Sequence, residues 1–137
     1  MPHTTSQTIA ERIEDLYGQP IAALEAHADT HPRGSMLVAL TSSHTDLQLA
    51  ERNITFQLQR LRELAHPKRE IGKFEAGHLL DCARRIAESV ATRDAHAKTV
   101  SAVLAGLHRV PTTPPPPPSA APAVPTSAAA PAATHTR

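Results

Sequence analysis

The chain has 137 residues, which is enough for one domain, and its 13 prolines against 5 glycines indicate that part of this length lies outside a folded core. Its formal net charge of +1 excludes an overall preference for nucleic acid or an anionic membrane. The single cysteine, Cys82, excludes an internal disulfide. The longest apolar run, at residues 36–40, is too short to span a bilayer, and the first residues lack the basic start and apolar run of a signal peptide. We therefore expect a cytoplasmic protein.

The first helix is predicted over residues 6–17. Ile9, Ile13 and Leu16 lie on one face at helical spacing. Thr8 and Glu11 have the spacing of a capping box near its start, and the next glycine along the chain stands where a C-terminal cap belongs.

A second short helix is predicted over residues 20–30. Pro20 suits the first turn of a helix, and Leu24 and Ala28 provide an apolar face. The sequence His-Pro-Arg-Gly at 31–34 then breaks the helical pattern.

The strongest periodic signal predicts a long helix over residues 35–66. Apolar side chains recur there with the heptad spacing of a coiled coil, at Leu40, Leu47, Ile54 and Leu61, and Leu58 widens the stripe. Pro67 disfavours helical geometry at His66 and is acceptable in the first turn of a following helix. The sequence thus predicts a tight reversal at this point.

The last periodic block predicts a helix over residues 68–109, with its start uncertain between 67 and 78 because of two glycines. Its apolar positions include Ile86, Val90, Val100 and Leu104. Two long helices joined by a short turn form an antiparallel αα-hairpin. The second helix is longer than the first. Its apolar stripe at residues 99–107 must therefore be covered by the N-terminal helices or by a second copy. We expect an all-α bundle of three or four helices over residues 1–110, and a homodimer is one arrangement of it.

Residues 111–137 are predicted to be a disordered tail. This segment holds nine prolines, eight alanines and one charged residue, so it cannot bury enough apolar surface to fold. Its run of five prolines favours polyproline II, and the tail is then a spacer or, less favoured, a ligand that a partner recognises.

Two pairs of side chains at i,i+4 spacing are candidates for a reactive or metal-binding site. His27 and His31 could supply half of a zinc site, but no third ligand stands nearby. His78 and Cys82 could bring an imidazole to a thiol, but the sequence offers no oxyanion site and no residue to orient the base. We therefore predict no catalytic, metal or cofactor site and no enzymatic activity.

The charges are unevenly distributed along the chain. Residues 11–29 carry five carboxylates against one arginine, while residues 52–73 carry six basic side chains against two glutamates. The end of the hairpin is therefore basic. Either it is a solvated turn, or it contacts the acidic N-terminal helices, or it binds phosphates.

The sequence favours a non-enzymatic interaction or oligomerisation module whose partner is a second copy or another protein, with no membrane partner. The residues predicted for helix packing or a partner interface are Leu40, Leu47, Ile54, Leu58, Leu61, Ile86, Val90, Val100 and Leu104. The alternative is a small nucleic-acid-associated protein, which is less favoured because the body is neutral and has few aromatic side chains. Its phosphate contacts would be Arg60, Arg62, Lys68, Arg69 and Lys73.

Overall fold

A computed structural model describes residues 4–31, 33–108 and 114–118 of the chain. These residues form four α-helices and no strand, which confirms the all-α prediction. The helices are α1 (Ser6–Tyr17), α2 (Ile21–Thr30), α3 (Met36–Leu64) and α4 (Lys73–Gly106).

The boundaries of the short helices follow from their caps. Thr5 is the N-cap of α1, because its side chain accepts a hydrogen bond from the backbone N–H of Thr8. The predicted capping box at Thr8 and Glu11 is therefore wrong by one turn: Thr8 already lies within the helix. Gly18 ends α1 as predicted, with a φ of 70° that favours glycine. Pro20 is the N-cap of α2 and not its first helical residue.

The two long helices are separated by a longer connection than the sequence predicted. Helix α3 begins after Ser35, whose hydroxyl accepts a hydrogen bond from the backbone N–H of Val38, and it ends at Leu64. Helix α4 begins at Lys73, within the predicted window of residues 67–78, but the connection over residues 65–72 is longer than the predicted tight reversal. The cause is local: the Glu75 carboxylate accepts a hydrogen bond from the Gly72 backbone N–H at 3.0 Å and sets the helix start there.

Helices α3 and α4 pack side by side along most of their length and form the predicted hairpin. Their antiparallel register brings Asn53 beside Ser89 and Gln57 beside Arg85. Helix α4 has 34 residues against 29 in α3, so the length difference is smaller than predicted.

The core occupies the half of the hairpin on which α1 and α2 lie. Ile9 and Ile13 of α1 are fully buried against α3 and α4, and their cluster includes Leu24, Leu40, Leu47, Ala97, Val100 and Leu104. Helix α1 therefore supplies the cover that the apolar stripe at the end of α4 was predicted to need. Burying these side chains is the main favourable contribution to folding.

Helix α1 covers only part of the hairpin. Its first residue, Ser6, donates its backbone N–H to the Glu51 carboxylate at 2.8 Å, and its hydroxyl contacts the same carboxylate. Beyond that level the hairpin is two helices thick. We call the covered part the proximal half and residues 52–92 the distal half.

The proline run has no regular secondary structure at residues 114–118, where the side chains are exposed. The rest of the predicted tail lies outside the described residues. Within the described ranges, no helix combines the length and the apolar character needed to cross a membrane.

Candidate interaction surface

The helix face that α1 covers continues along α3 and α4 into the distal half. Ile54 and Arg93 lie beside the first residues of α1, which places them on that face of the hairpin. Further positions at helical spacing from these two extend the face toward the hairpin end. We define the distal groove by six side chains, all half-buried: Ile54, Leu58, Leu61, Leu79, Ile86 and Val90.

The opposite side of the distal half is polar. Asn53, Gln57, Arg85, Glu88 and Ser89 line a depression there. Side chains between the two helices, such as Cys82 and Leu64, are buried. The distal half thus has a polar side, a thin apolar layer between its helices, and a groove that is apolar and incompletely covered.

Large apolar side chains outside the groove increase the exposed apolar surface of this half. Phe74 is 82 % exposed, Leu80 is 73 % exposed and Phe56 is 59 % exposed. Phe56 lies beside Ser6 and Gln59 on the outer face of α3, about half a turn around the helix from the groove residues. The proximal half also exposes Met36 and Leu49, at 48 % and 50 %, but most of its large apolar side chains lie in the core or pack against it. Exposed apolar surface concentrated in one region marks an interaction site.

The nine side chains predicted for packing or a partner interface divide between the two halves. Leu40, Leu47, Val100 and Leu104 are buried in the proximal core, where they hold the four helices of one chain together. Ile54, Leu58, Leu61, Ile86 and Val90 lie in the distal groove. Only this second set is available to a partner.

The five predicted phosphate contacts are all exposed at one end of the hairpin, which we call the basic end: Arg60, Arg62, Lys68, Arg69 and Lys73. Among the described residues, none of them forms an ion pair or a side-chain hydrogen bond with a carboxylate. The acidic helices α1 and α2 lie on the proximal half. They therefore do not contact the basic end of their own chain, which rules out one of the interpretations of the charge pattern.

Neither the candidate metal pair nor the candidate thiol pair forms a metal-binding or nucleophilic site in the described structure. The rings of His27 and His31 stack at 4.4 Å, and His31 Nδ1 lies 2.9 Å from the Thr30 hydroxyl and 3.1 Å from the His27 carbonyl oxygen. In the described parts of the chain, no three His, Cys, Asp or Glu side chains lie close enough to hold a metal ion. Cys82 is 2 % exposed and His78 is exposed, so an approaching substrate would not meet the thiol.

Sequence reasoning missed two sets of residues. Phe56, Phe74 and Leu80 fall outside the heptad stripe, and only their size and apolar character on otherwise polar faces could have marked them. His44 was not singled out, although it is one of the most buried side chains of the core. Its spacing of four from Leu40 was the available signal.

No protein-family model matches this chain, and neither the curated proteins nor the solved structures contain one with significant similarity to it.

Proposed function

We propose that this chain is a non-enzymatic helical interaction module that presents its distal groove to a helix, from a second copy or from another protein. The observation that carries the proposal is the contrast between the two halves of one hairpin. The same apolar face is fully buried under α1 near Leu47 and only partly buried at Leu58 and Leu61.

A partner helix would gain free energy by completing the burial of the groove residues. Burying one large aliphatic side chain completely contributes about 1.5–3 kcal/mol. The six groove residues are each already more than half buried, so completing their burial offers at most about 5 kcal/mol before the cost of association.

Sedimentation equilibrium tests the self-association version of this proposal. The wild-type chain is expected to show a concentration-dependent molar mass, and Leu61→Asp or Ile54→Asp is expected to make it monomeric. The matched control is Thr99→Asp, at an exposed position of the proximal half, which should associate like wild type. Circular dichroism must show equal helix content in all four chains. A folded wild-type chain that stays monomeric would remove self-association.

We further propose a cytoplasmic location and a spacer role for residues 111–137. The Cys82 thiol is free and buried, so the fold needs no oxidising compartment. A pull-down with and without residues 111–137 tests the spacer: loss of a partner on truncation would instead make the tail a recognised ligand.

A second candidate function is nucleic-acid binding, favoured by the five exposed cations of the basic end. A gel-shift assay at about 50 mM salt tests it, because binding through about five phosphate contacts weakens steeply as salt rises. Arg69→Gln should reduce the shift, whereas Lys98→Gln, at an exposed position in the proximal half, should not. Absence of any shift at low salt rejects this candidate.

A further inference from the structure

We propose that the occupant of the distal groove is the same groove of a second copy, in an antiparallel pairing that places the basic end of each copy beside α1 of the other. This inference rests on the proposed function and names its partner. It predicts a four-helix layer at the centre of a two-fold symmetric dimer.

The groove is suited to contact its own copy. In a two-fold symmetric interface the same patch contacts itself, so a patch of like charges would repel its own copy. The six groove residues are apolar and uncharged. With the two-fold axis near Leu58, Leu58 meets its counterpart and Ile54 of each copy faces Leu61 of the other.

The charge distribution selects the antiparallel orientation. The start of α1 lies at the level of Glu51, and α3 continues for about 20 Å beyond it to the basic end. The basic end is therefore too far from α1 to be neutralised within one chain. A parallel pairing would place the basic ends side by side, which Coulomb repulsion opposes.

An antiparallel pairing resolves this repulsion. If the axis passes near residue 58, residue 65 of one copy lies at the level of residue 51 of the other, next to the start of α1. The connection that follows residue 65 carries Lys68 and Arg69, both exposed. Glu11 and Asp15 are exposed carboxylates on α1, and Glu11 lies about 7.5 Å along the helix from Ser6. The charge patterns of the two copies are then complementary.

Other occupants fit the observations less well. A nucleic acid would use the basic end but would leave the apolar groove uncovered. The proline-rich segment follows the end of α4 at Gly106, at the opposite end of the hairpin from the groove. It also offers no helical apolar stripe to fill the groove.

Charge reversal in the full chain tests the arrangement. One variant carries Lys68→Glu with Arg69→Glu, a second carries Glu11→Lys with Asp15→Lys, and a third carries all four changes. At about 50 mM salt each two-site variant should raise the dimer Kd about tenfold, since ion pairs are lost at both symmetric contacts. The four-site variant should restore the Kd to near the wild-type value. Lys98→Glu, outside the proposed contacts, is the control.

Disulfide trapping gives a second, independent measurement. In a Cys82→Ala background, a chain with Arg69→Cys is mixed with a chain carrying Glu11→Cys under mild oxidation. The antiparallel dimer gives a cross-linked pair of the two different chains and no pair of Arg69→Cys with itself. A covalent pair of Arg69→Cys chains would indicate a parallel dimer and overturn the inference.

The outcomes separate this inference from the proposed function. Suppose that Leu61→Asp abolishes dimerisation, but the charge reversals leave the dimer Kd unchanged and no cross-linked pair of the two different chains forms. The groove then binds a copy in another orientation, and only the inference is wrong. If the wild-type chain is monomeric, the second copy is not the occupant and this inference fails. A gel shift in a monomeric chain would then favour nucleic acid at the basic end.

Discussion

His44 Nδ1 lies 3.1 Å from a carboxylate oxygen of Glu25, and this contact joins α3 to α2 at the edge of the core. The His44 side chain is 1 % exposed and the Glu25 side chain is 37 % exposed. Because a carboxylate can only accept here, the proton must lie on Nδ1. The other ring nitrogen, Nε2, is buried without a hydrogen-bond partner in the described structure. The contact with Glu25 is therefore the only hydrogen bond that this buried ring makes in the described structure.

The first prediction is that Glu25→Ala destabilises the fold by about 1–3 kcal/mol, because it leaves a buried N–H without an acceptor. His44→Leu removes the ring and its unpaired nitrogen together, so the loss of Glu25 should then cost much less. A double-mutant cycle measured by urea denaturation at pH 7 isolates this coupling. Equal effects of Glu25→Ala with and without His44 would show that the contact contributes nothing.

The second prediction contrasts two leucines of α3. Leu47 is fully buried, so Leu47→Ala should lower the free energy of unfolding by about 2–5 kcal/mol at any protein concentration. Leu61 is half-buried in the distal groove, and Leu61→Ala should cost about 1 kcal/mol in dilute solution. Its effect should grow with concentration if the groove is an interface. Thermal unfolding at several concentrations measures both, and a concentration-independent effect of Leu61→Ala would argue against the interface.

The third prediction concerns acid titration in α4. The pKa of the Asp81 carboxyl is lowered from its ordinary value of 3.8, chiefly because Arg84 donates a hydrogen bond to it at 2.7 Å. Burial opposes this effect, and a hydrogen bond from Arg85 adds to it. Because the folded pKa is the lower one, the ion pair stabilises the fold above the ordinary pKa. This stabilisation is lost as the pH falls through the folded pKa.

Carbon-13 NMR titration of the Asp81 carboxyl checks this directly. We expect a wild-type pKa below 3.8, and Arg84→Ala should move it upward. Lys98→Ala should leave it unchanged, because Lys98 lies about 25 Å along α4 from Asp81. A wild-type value at or above 3.8 would contradict the ion-pair geometry.

The parts of the fold that depend on periodicity could be predicted from the sequence. The apolar positions around Leu40, Leu47 and Val100 repeat at helical spacing, so they indicate both the long helices and the face that becomes the core. The start of α4 could not be predicted in this way. It depends on the Glu75 carboxylate accepting a hydrogen bond from the Gly72 backbone N–H. The local sequence does not distinguish this helix start from several others nearby.

The candidate site was only partly predictable for a different reason. The spacing of Leu58 and Leu61 places them on the helix face, but whether that face is covered depends on where α1 begins along the hairpin. That level is set by a contact between Ser6 and Glu51, 45 residues apart in sequence, which no local pattern contains. Consequently the sequence could not separate core leucines from groove leucines.

The last prediction pairs two glycines with opposite expected effects. Gly18 has a φ of 70°, so Gly18→Ala should destabilise the fold by about 1–2 kcal/mol because the left-handed conformation is strained for alanine. Gly77 lies within α4, and a Cβ there would meet no atom within 4 Å, so Gly77→Ala should stabilise by up to about 1 kcal/mol. Gly18 follows α1 and Gly77 lies in the distal half of the hairpin, so their effects should add in the double variant. Urea denaturation measures all three chains, and a neutral Gly18→Ala would show that this turn relaxes without strain.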